Sequence, residues 1–234
     1  MAVEMIGAWQ NHGFFQIKLT EAQLRTLERA YSVSRSFFER KDKAQFVNDR
    51  SFSGYVGLFQ EITKNKRDHS EVFTITKDFP PHDDHVQNNW PCHGPCPWPD
   101  KTFQVTMNDT MAMFFEVGEK LLRLIELGIG LKESALAKLT ENGWHHMRNL
   151  RYPGTNDSAE TGVGEHTDYG LLVIVSQDEV GGLCIKSPEG APKKNDEEWT
   201  YVPPAKDTLT VFPGKILLLA LPISNPNGTH ILFA

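Results

Sequence analysis

The sequence predicts an α+β fold, with helices first and short strands after. Three observations carry that expectation. The longest helical signal, Thr102 to about Leu127, sets Met107, Met111, Phe114, Leu121 and Ile125 on one face. From Trp144 onward the apolar pattern breaks into short runs separated by glycine, proline and polar residues, which reads as strands. With 234 residues, 39% of them hydrophobic, the chain can bury a sizeable core.

Composition narrows the function classes. The net charge is −6 and no long basic run appears, which disfavours nucleic acid as a partner. Lys64-Asn65-Lys66-Arg67 reads as a solvated loop. The N-terminus lacks a basic segment followed by an apolar core, and no run approaches the ~18 apolar residues of a membrane span. Three cysteines do not suggest a disulfide framework, so a reducing, cytoplasmic location is the expectation. Cys92-His93-Gly94-Pro95-Cys96 has the look of a zinc half-site, but no second pair follows and its Gly and Pro suit a turn.

Taken in order, residues 1–12 look helical, and His12 to Lys18 reads as a short strand entered through Gly13. Thr20-Glu21-Ala22-Gln23 is a capping box opening a helix to about Glu39. Lys41 to Gln45 is a charged connection or a short helical extension. Residues 50–80 are extended, with Glu71 to Ile75 alternating as a strand. The prolines and the two tryptophans of residues 79–101 indicate a rigid, irregular connection with Trp90 and Trp98 as packing anchors. After the long helix, Lys132 to Thr140 reads as a second, shorter one ending near Gly143. Strands follow around Trp144–Pro153, Gly164–Val175, Gly181–Ile185, Trp199–Pro204 and Leu209–Gly214.

The chemistry-bearing stretch is Gly164-Glu165-His166-Thr167-Asp168-Tyr169-Gly170, followed by Leu171-Leu172-Val173-Ile174-Val175. In extended backbone His166 and Asp168 point to one side, so an imidazole nitrogen and a carboxylate oxygen can meet one metal ion. Two histidines and one carboxylate with open positions form the usual site of non-haem Fe(II) oxygenases. The tripeptide alone is more often an ordinary surface pair. Adjoining His145 and His146 would face opposite ways in a strand and read as structural. Glu61 and Thr63 project together if Glu61-Ile62-Thr63 is extended, as two solvated polar residues or as a binding pair. Arg148 reads alone as a salt-bridge partner, and Tyr169 as a packed aromatic.

The order of these segments resembles the isopenicillin N synthase-like 2-oxoglutarate/Fe(II)-dependent dioxygenases. Within them it looks closest to the ethylene-forming branch, on Phe52-Ser53-Gly54-Tyr55-Val56, Gln60-Glu61-Ile62-Thr63, Trp90 to Pro95 and Trp144 to Arg151. The resemblance covers roughly Gly7 to Gly214. It implies a double-stranded β-helix (jelly roll) with flanking helices. It implies residues 1–143 as the N-terminal helical and loop-rich part of the domain, 144–214 as a partial jelly-roll core, and 215–234 as a divergent tail. It further implies His166 and Asp168 as Fe(II) ligands, Arg148 near the cosubstrate 2-oxoglutarate, and Glu61, Thr63, Arg148 and Tyr169 as contacts to an L-arginine-like small-molecule substrate. A carboxylate suits a guanidinium, accepting two parallel hydrogen bonds. The implied reaction uses O2 and couples decarboxylation of 2-oxoglutarate to succinate with substrate hydroxylation, and in the ethylene-forming branch with ethylene release. A monomer is expected.

After Gly214 the resemblance stops. His230 sits near the spacing of the family's third metal ligand, whereas Pro222 and Pro226 suit interior strands poorly. The sequence therefore predicts a jelly roll incomplete at the C-terminus, lacking the arginine that holds 2-oxoglutarate. The competing expectation is a truncated, inactive member of the family that binds metal weakly at most.

Overall fold

The computed structural model describes residues 1–141, 143–156, 162–186, 199–220 and 230–233. In chain order its helices are α1 (Ala2–His12), α2 (Glu21–Phe38), α3 (Asp84–Gln87), α4 (Lys101–Ile129), α5 (Ala137–Thr140) and α6 (Lys215–Ala220). The strands are β1 (Phe15–Lys18), β2 (Val47–Asn48), β3 (Ser53–Val56), β4 (Ile62–Thr63), β5 (Lys66–Arg67), β6 (Glu71–Thr76) and β7 (His146–Arg151). They continue as β8 (Val163–Thr167), β9 (Leu172–Val175), β10 (Leu183–Lys186), β11 (Trp199–Tyr201), β12 (Thr208–Pro213) and β13 (His230–Phe233). The chain forms two compact units. One comprises Met1–Leu24, Phe114–Leu139 and Val163–Ala234, and the other Arg25–Met113 and Thr140–Gly162.

The first unit is a sandwich of two antiparallel sheets, ordered β1-β12-β9 and β11-β10-β13-β8. Leu183, Ile185 and Ile231 from one sheet meet Phe212, Val173 and Val175 from the other in one apolar cluster, which Phe14 and Val202 complete. This is the alternation rule at work: in each strand every second side chain enters the core. Helix α1 closes on Gly13, whose φ of 83° lets its N–H return to the Trp9 carbonyl. Trp9 is buried and its indole N–H donates to the Val211 carbonyl at 3.3 Å, fixing α1 on β12. Strand β13, from the segment after the prolines, lies between β10 and β8.

The second unit packs the sheet β2-β3-β6-β7 against helices. Phe37 and Phe38 of α2, Phe73 and Ile75 of β6, and Phe103 and Met107 of α4 make its core. Asp100 caps α4, its side chain accepting the Phe103 N–H at 2.9 Å. β6 has β3 and β7 on either side, and all six of its residues are buried, so it is a central strand.

Several local expectations hold in detail. In the capping box, Gln23 N–H donates to Thr20 Oγ1 at 3.3 Å and Thr20 N–H to Gln23 Oε1 at 2.9 Å. The Lys64–Arg67 loop is more regular than foreseen. Lys64 and Asn65 have φ of 47° and 65°, forming a tight two-residue turn between β4 and β5. Trp98 is an anchor, its indole N–H donating to Asp78 at 2.7 Å, but Trp90 is 53% exposed. The helix expected from Lys132 shrinks to α5. The buried Glu126 carboxylate accepts the backbone N–H groups of Ser134, Leu136 and Ala137, and Ser134 has a φ of 62°, which replaces the first helical turn by an irregular one.

Candidate active site

In the first unit, β8 delivers the His-x-Asp pair. Ile185 of β10, Ile231 of β13 and His166 of β8 stand in register across three neighbouring strands. Directly opposed residues share a sheet face. Ile185 and Ile231 are buried in the core, so His166 is on the inward face too. Glu165, on the other face, pairs with Lys186 at 3.7 Å. Asp168 follows the last β8 residue, and its carboxylate Oδ1 lies 3.5 Å from His166 Nε2.

His166 Nδ1 lies 2.9 Å from the Gly164 carbonyl, which can only accept, so Nδ1 carries the hydrogen. In the neutral imidazole Nε2 is then the lone-pair nitrogen, and it faces the Asp168 oxygen. A backbone carbonyl that fixes the tautomer of a metal-binding imidazole is a common arrangement. Two donors each about 2.1 Å from a first-row metal ion lie less than about 4.2 Å apart, so the observed pair fits one divalent ion. Among the described residues no group of three His, Cys, Asp or Glu converges as a metal cage. The backbone of His230 pairs with Thr167, one step from His166, and its side chain lies outside the described residues.

The loop after Asp168 is held by backbone. Lys215 N–H donates to the Asp168 carbonyl at 2.9 Å, Ile216 N–H to Gly170 at 3.3 Å and Gly214 N–H to Leu171 at 3.0 Å. Tyr169 is 80% exposed, which overturns its reading as a packed aromatic. No sequence pattern hinted at this backbone support, because it uses main-chain groups that every residue carries.

The second unit brings together three of the other candidates. Arg148 sits on β7 opposite Thr74, and its Nη2 contacts Glu61 Oε1. Both side chains are about three-quarters buried, Arg148 at 30% and Glu61 at 25% exposure. Arg148 Nε and Thr76 Oγ1 are buried and meet no partner among the described residues. Thr63 donates its hydroxyl to Asp68 Oδ2 at 2.7 Å, and Asp68 N–H donates to the Glu61 carbonyl at 3.0 Å. Asp68, which the sequence did not single out, thus anchors the β4–β5 hairpin that presents Glu61. Cys96 is buried, and the Cys92 carbonyl accepts the Trp144 indole N–H at 3.1 Å.

Comparisons with known proteins decide the family. Residues 143–230 match the model of the 2OG-Fe(II) oxygenase superfamily, and residues 1–101 match the N-terminal model described as non-haem dioxygenase in morphine synthesis. The chain is 40% identical over 232 residues to a 2-oxoglutarate-dependent ethylene/succinate-forming enzyme of Ralstonia nicotianae, covering 91% of this chain and 67% of that one. The chain belongs to the 2OG-Fe(II) oxygenase superfamily. Fe(II) and 2-oxoglutarate are the cofactor and cosubstrate of that family. The chain is also 29% identical over 225 residues to a homoarginine-6-hydroxylase of Glycine max, covering 88% of this chain and 64% of that one. Its fold matches that of a full-length Neurospora crassa protein crystallised in complex with alpha-KG and thymine, with a TM-score of 0.79 at 23% identity, over 100% of this chain and 73% of that one. The expected jelly roll with flanking helices is thereby shown. The chain spans about two thirds of the length of the curated relatives it matches. No helix among the described residues is long and apolar enough to cross a membrane.

Proposed function

We propose that this oxygenase couples decarboxylation of 2-oxoglutarate to succinate with hydroxylation of a small guanidino substrate of the L-arginine kind, with ethylene as a second product of the same site. The observation that carries the reading is the His166–Asp168 pair, with its tautomer set and its donors 3.5 Å apart. When bound, Fe(II) with 2-oxoglutarate supplies the activation of O2 that protein side chains cannot provide. His166 Nε2 and an Asp168 oxygen would hold the metal, and His230 is the candidate for a third ligand.

The other residues bind and orient. Glu61, already in contact with one guanidinium, has the charge and the planar oxygen pair to take another from substrate. Arg148 offers a buried Nε donor that a ligand carboxylate, of 2-oxoglutarate or of the amino acid, would satisfy. Thr63 keeps Glu61 in place through Asp68. Tyr169, exposed beside Asp168, is the candidate aromatic contact to the substrate. The names of the relatives support this reading, since they include an ethylene/succinate-forming enzyme and homoarginine-6-hydroxylases.

The test is an anaerobic titration of the chain with Fe(II) and 2-oxoglutarate, followed by addition of L-arginine and then of air. A visible charge-transfer band that L-arginine perturbs, followed by succinate formation, is the expected result. A folded chain that shows neither band nor succinate would sink the proposal and leave the catalytically inactive, weakly metal-binding reading.

A further inference from the structure

We propose that the turn Gly214-Lys215-Ile216 is a backbone clamp that positions the Asp168 carboxylate for the metal, with Gly214 and the Lys215 N–H as its positioning groups. The inference rests on the reading of His166 and Asp168 as metal ligands. The two ligands are fixed by different means. His166 lies within the ladder, opposite Ile231, and its ring is tied to Gly164. Among the described residues the last pair of the ladder is Thr167 with His230, and Asp168 follows the end of β8. Its backbone carbonyl is instead held by the N–H of Lys215, the first residue of α6.

Three consecutive N–H groups hold Asp168 and the loop that follows it. Those of Gly214, Lys215 and Ile216 reach the carbonyls of Leu171, Asp168 and Gly170 at 3.0, 2.9 and 3.3 Å. They are among the opening N–H groups of α6, which have no carbonyl within the helix to bond, so the ligand loop and the helix start satisfy each other. The approach is close enough to require glycine. A Cβ on Gly214 would lie 2.2 Å from the Gly170 oxygen, 2.6 Å from its carbonyl carbon and 2.8 Å from the Tyr169 oxygen. These are backbone atoms with no rotamer to yield. Any side chain at position 214 therefore pushes out the loop that begins at Asp168 and changes the 3.5 Å separation from His166 Nε2. Support of this indirect kind changes metal affinity by about 10- to 100-fold when removed.

Co(II) alone is the probe, because its visible spectrum reports ligand geometry as well as affinity. In the full chain, Gly214→Ala should weaken Co(II) binding at least about tenfold and alter the spectrum. Gly7→Ala, where an added Cβ meets nothing within 4 Å, should do neither. Lys215→Pro removes the donor to Asp168 while suiting the first position of a helix, and should act like Gly214→Ala even if the latter fails to fold. In the wild-type chain, Co(II) should slow hydrogen exchange at the amides of residues 214–216. Wild-type affinity and spectrum in a folded Gly214→Ala or Lys215→Pro protein, or exchange at 214–216 that ignores the metal, overturns the clamp alone. A wild-type chain that does not bind Co(II) overturns the metal-site reading with it.

Discussion

The carboxylate of Glu61 and the imidazole of His166 show how far single residues carry the chemistry. Glu61 touches a guanidinium of the chain itself, so its preference for that group is visible before any substrate arrives. A hydrogen bond to a charged group contributes ~1.5–3 kcal/mol. Glu61→Gln should therefore raise KM for L-arginine by about tenfold or more while changing kcat less, as measured by succinate release at varied L-arginine. Replacing His166 by Gln should abolish stoichiometric Fe(II) binding, read by the anaerobic titration. Thr63 contributes differently from Glu61. Its hydroxyl is engaged with Asp68, so Thr63→Val should disturb the hairpin first and substrate affinity through it.

At the level of elements, two irregular joints set where side chains arrive. The turn between β4 and β5 places Lys64, a residue without the short polar side chain that eases the left-handed region, at a φ of 47°. Lys64→Asn should stabilise the chain by roughly 0.5–1 kcal/mol, seen as a higher midpoint in urea. The second joint is Glu126 below α5. Burial raises its carboxyl pKa, but the three backbone N–H groups of Leu136, Ala137 and Ser134 outweigh it, and the net shift is downward. A folded-state pKa below the unfolded one means stability that is present above the unfolded value and lost as pH falls through the folded one. Glu126→Gln should thus cost about 1–3 kcal/mol near neutral pH. The gap to the wild type should narrow below about pH 4, as measured by chemical denaturation at several pH values.

Across the whole molecule, acid sensitivity has a second source in the helix-and-sheet unit. Glu71 is 7% exposed and receives Lys43 Nζ at 2.8 Å, the Tyr55 hydroxyl at 2.9 Å and Arg151 at 3.1 Å. Burial pushes its pKa up, yet these donors together hold it below the usual carboxylate range. Burial and the hydrogen bond to Glu71 push the Tyr55 phenol the other way, upward. Both carboxylates, Glu71 and Glu126, shift in the same direction, so the chain should lose stability as pH falls below about 4.3. Removing one partner of such a buried pair leaves the other charge uncompensated. Glu71→Ala should cost about 3–5 kcal/mol at neutral pH, against the small effect of exposed pairs such as Lys18 with Asp207.

The α+β arrangement, the capping box at Thr20, the apolar stripe of α4 and the His-x-Asp strand were all legible in the sequence, because each is a local pattern of period or spacing. Resemblance drew Glu61 and Arg148 into one site, and their direct contact came only with the structure. They are separated by 87 positions and meet because β6 pairs with β7 and Asp68 ties down the hairpin. The shortened α5 was hidden for another reason: the buried Glu126 carboxylate, 8 to 11 positions upstream, takes N–H groups at the start of the expected helix. The place of β13 between β10 and β8 was likewise illegible behind Pro222 and Pro226, since strand neighbours are chosen by register and core burial rather than by the segment's own composition. The sequence by itself determined which residue types could hold iron and which segments could be strands or helices. Tertiary structure alone decided what surrounds them, because main-chain clamps such as Gly214 to Gly170 are made of atoms common to all residues and become specific only when the chain brings them together.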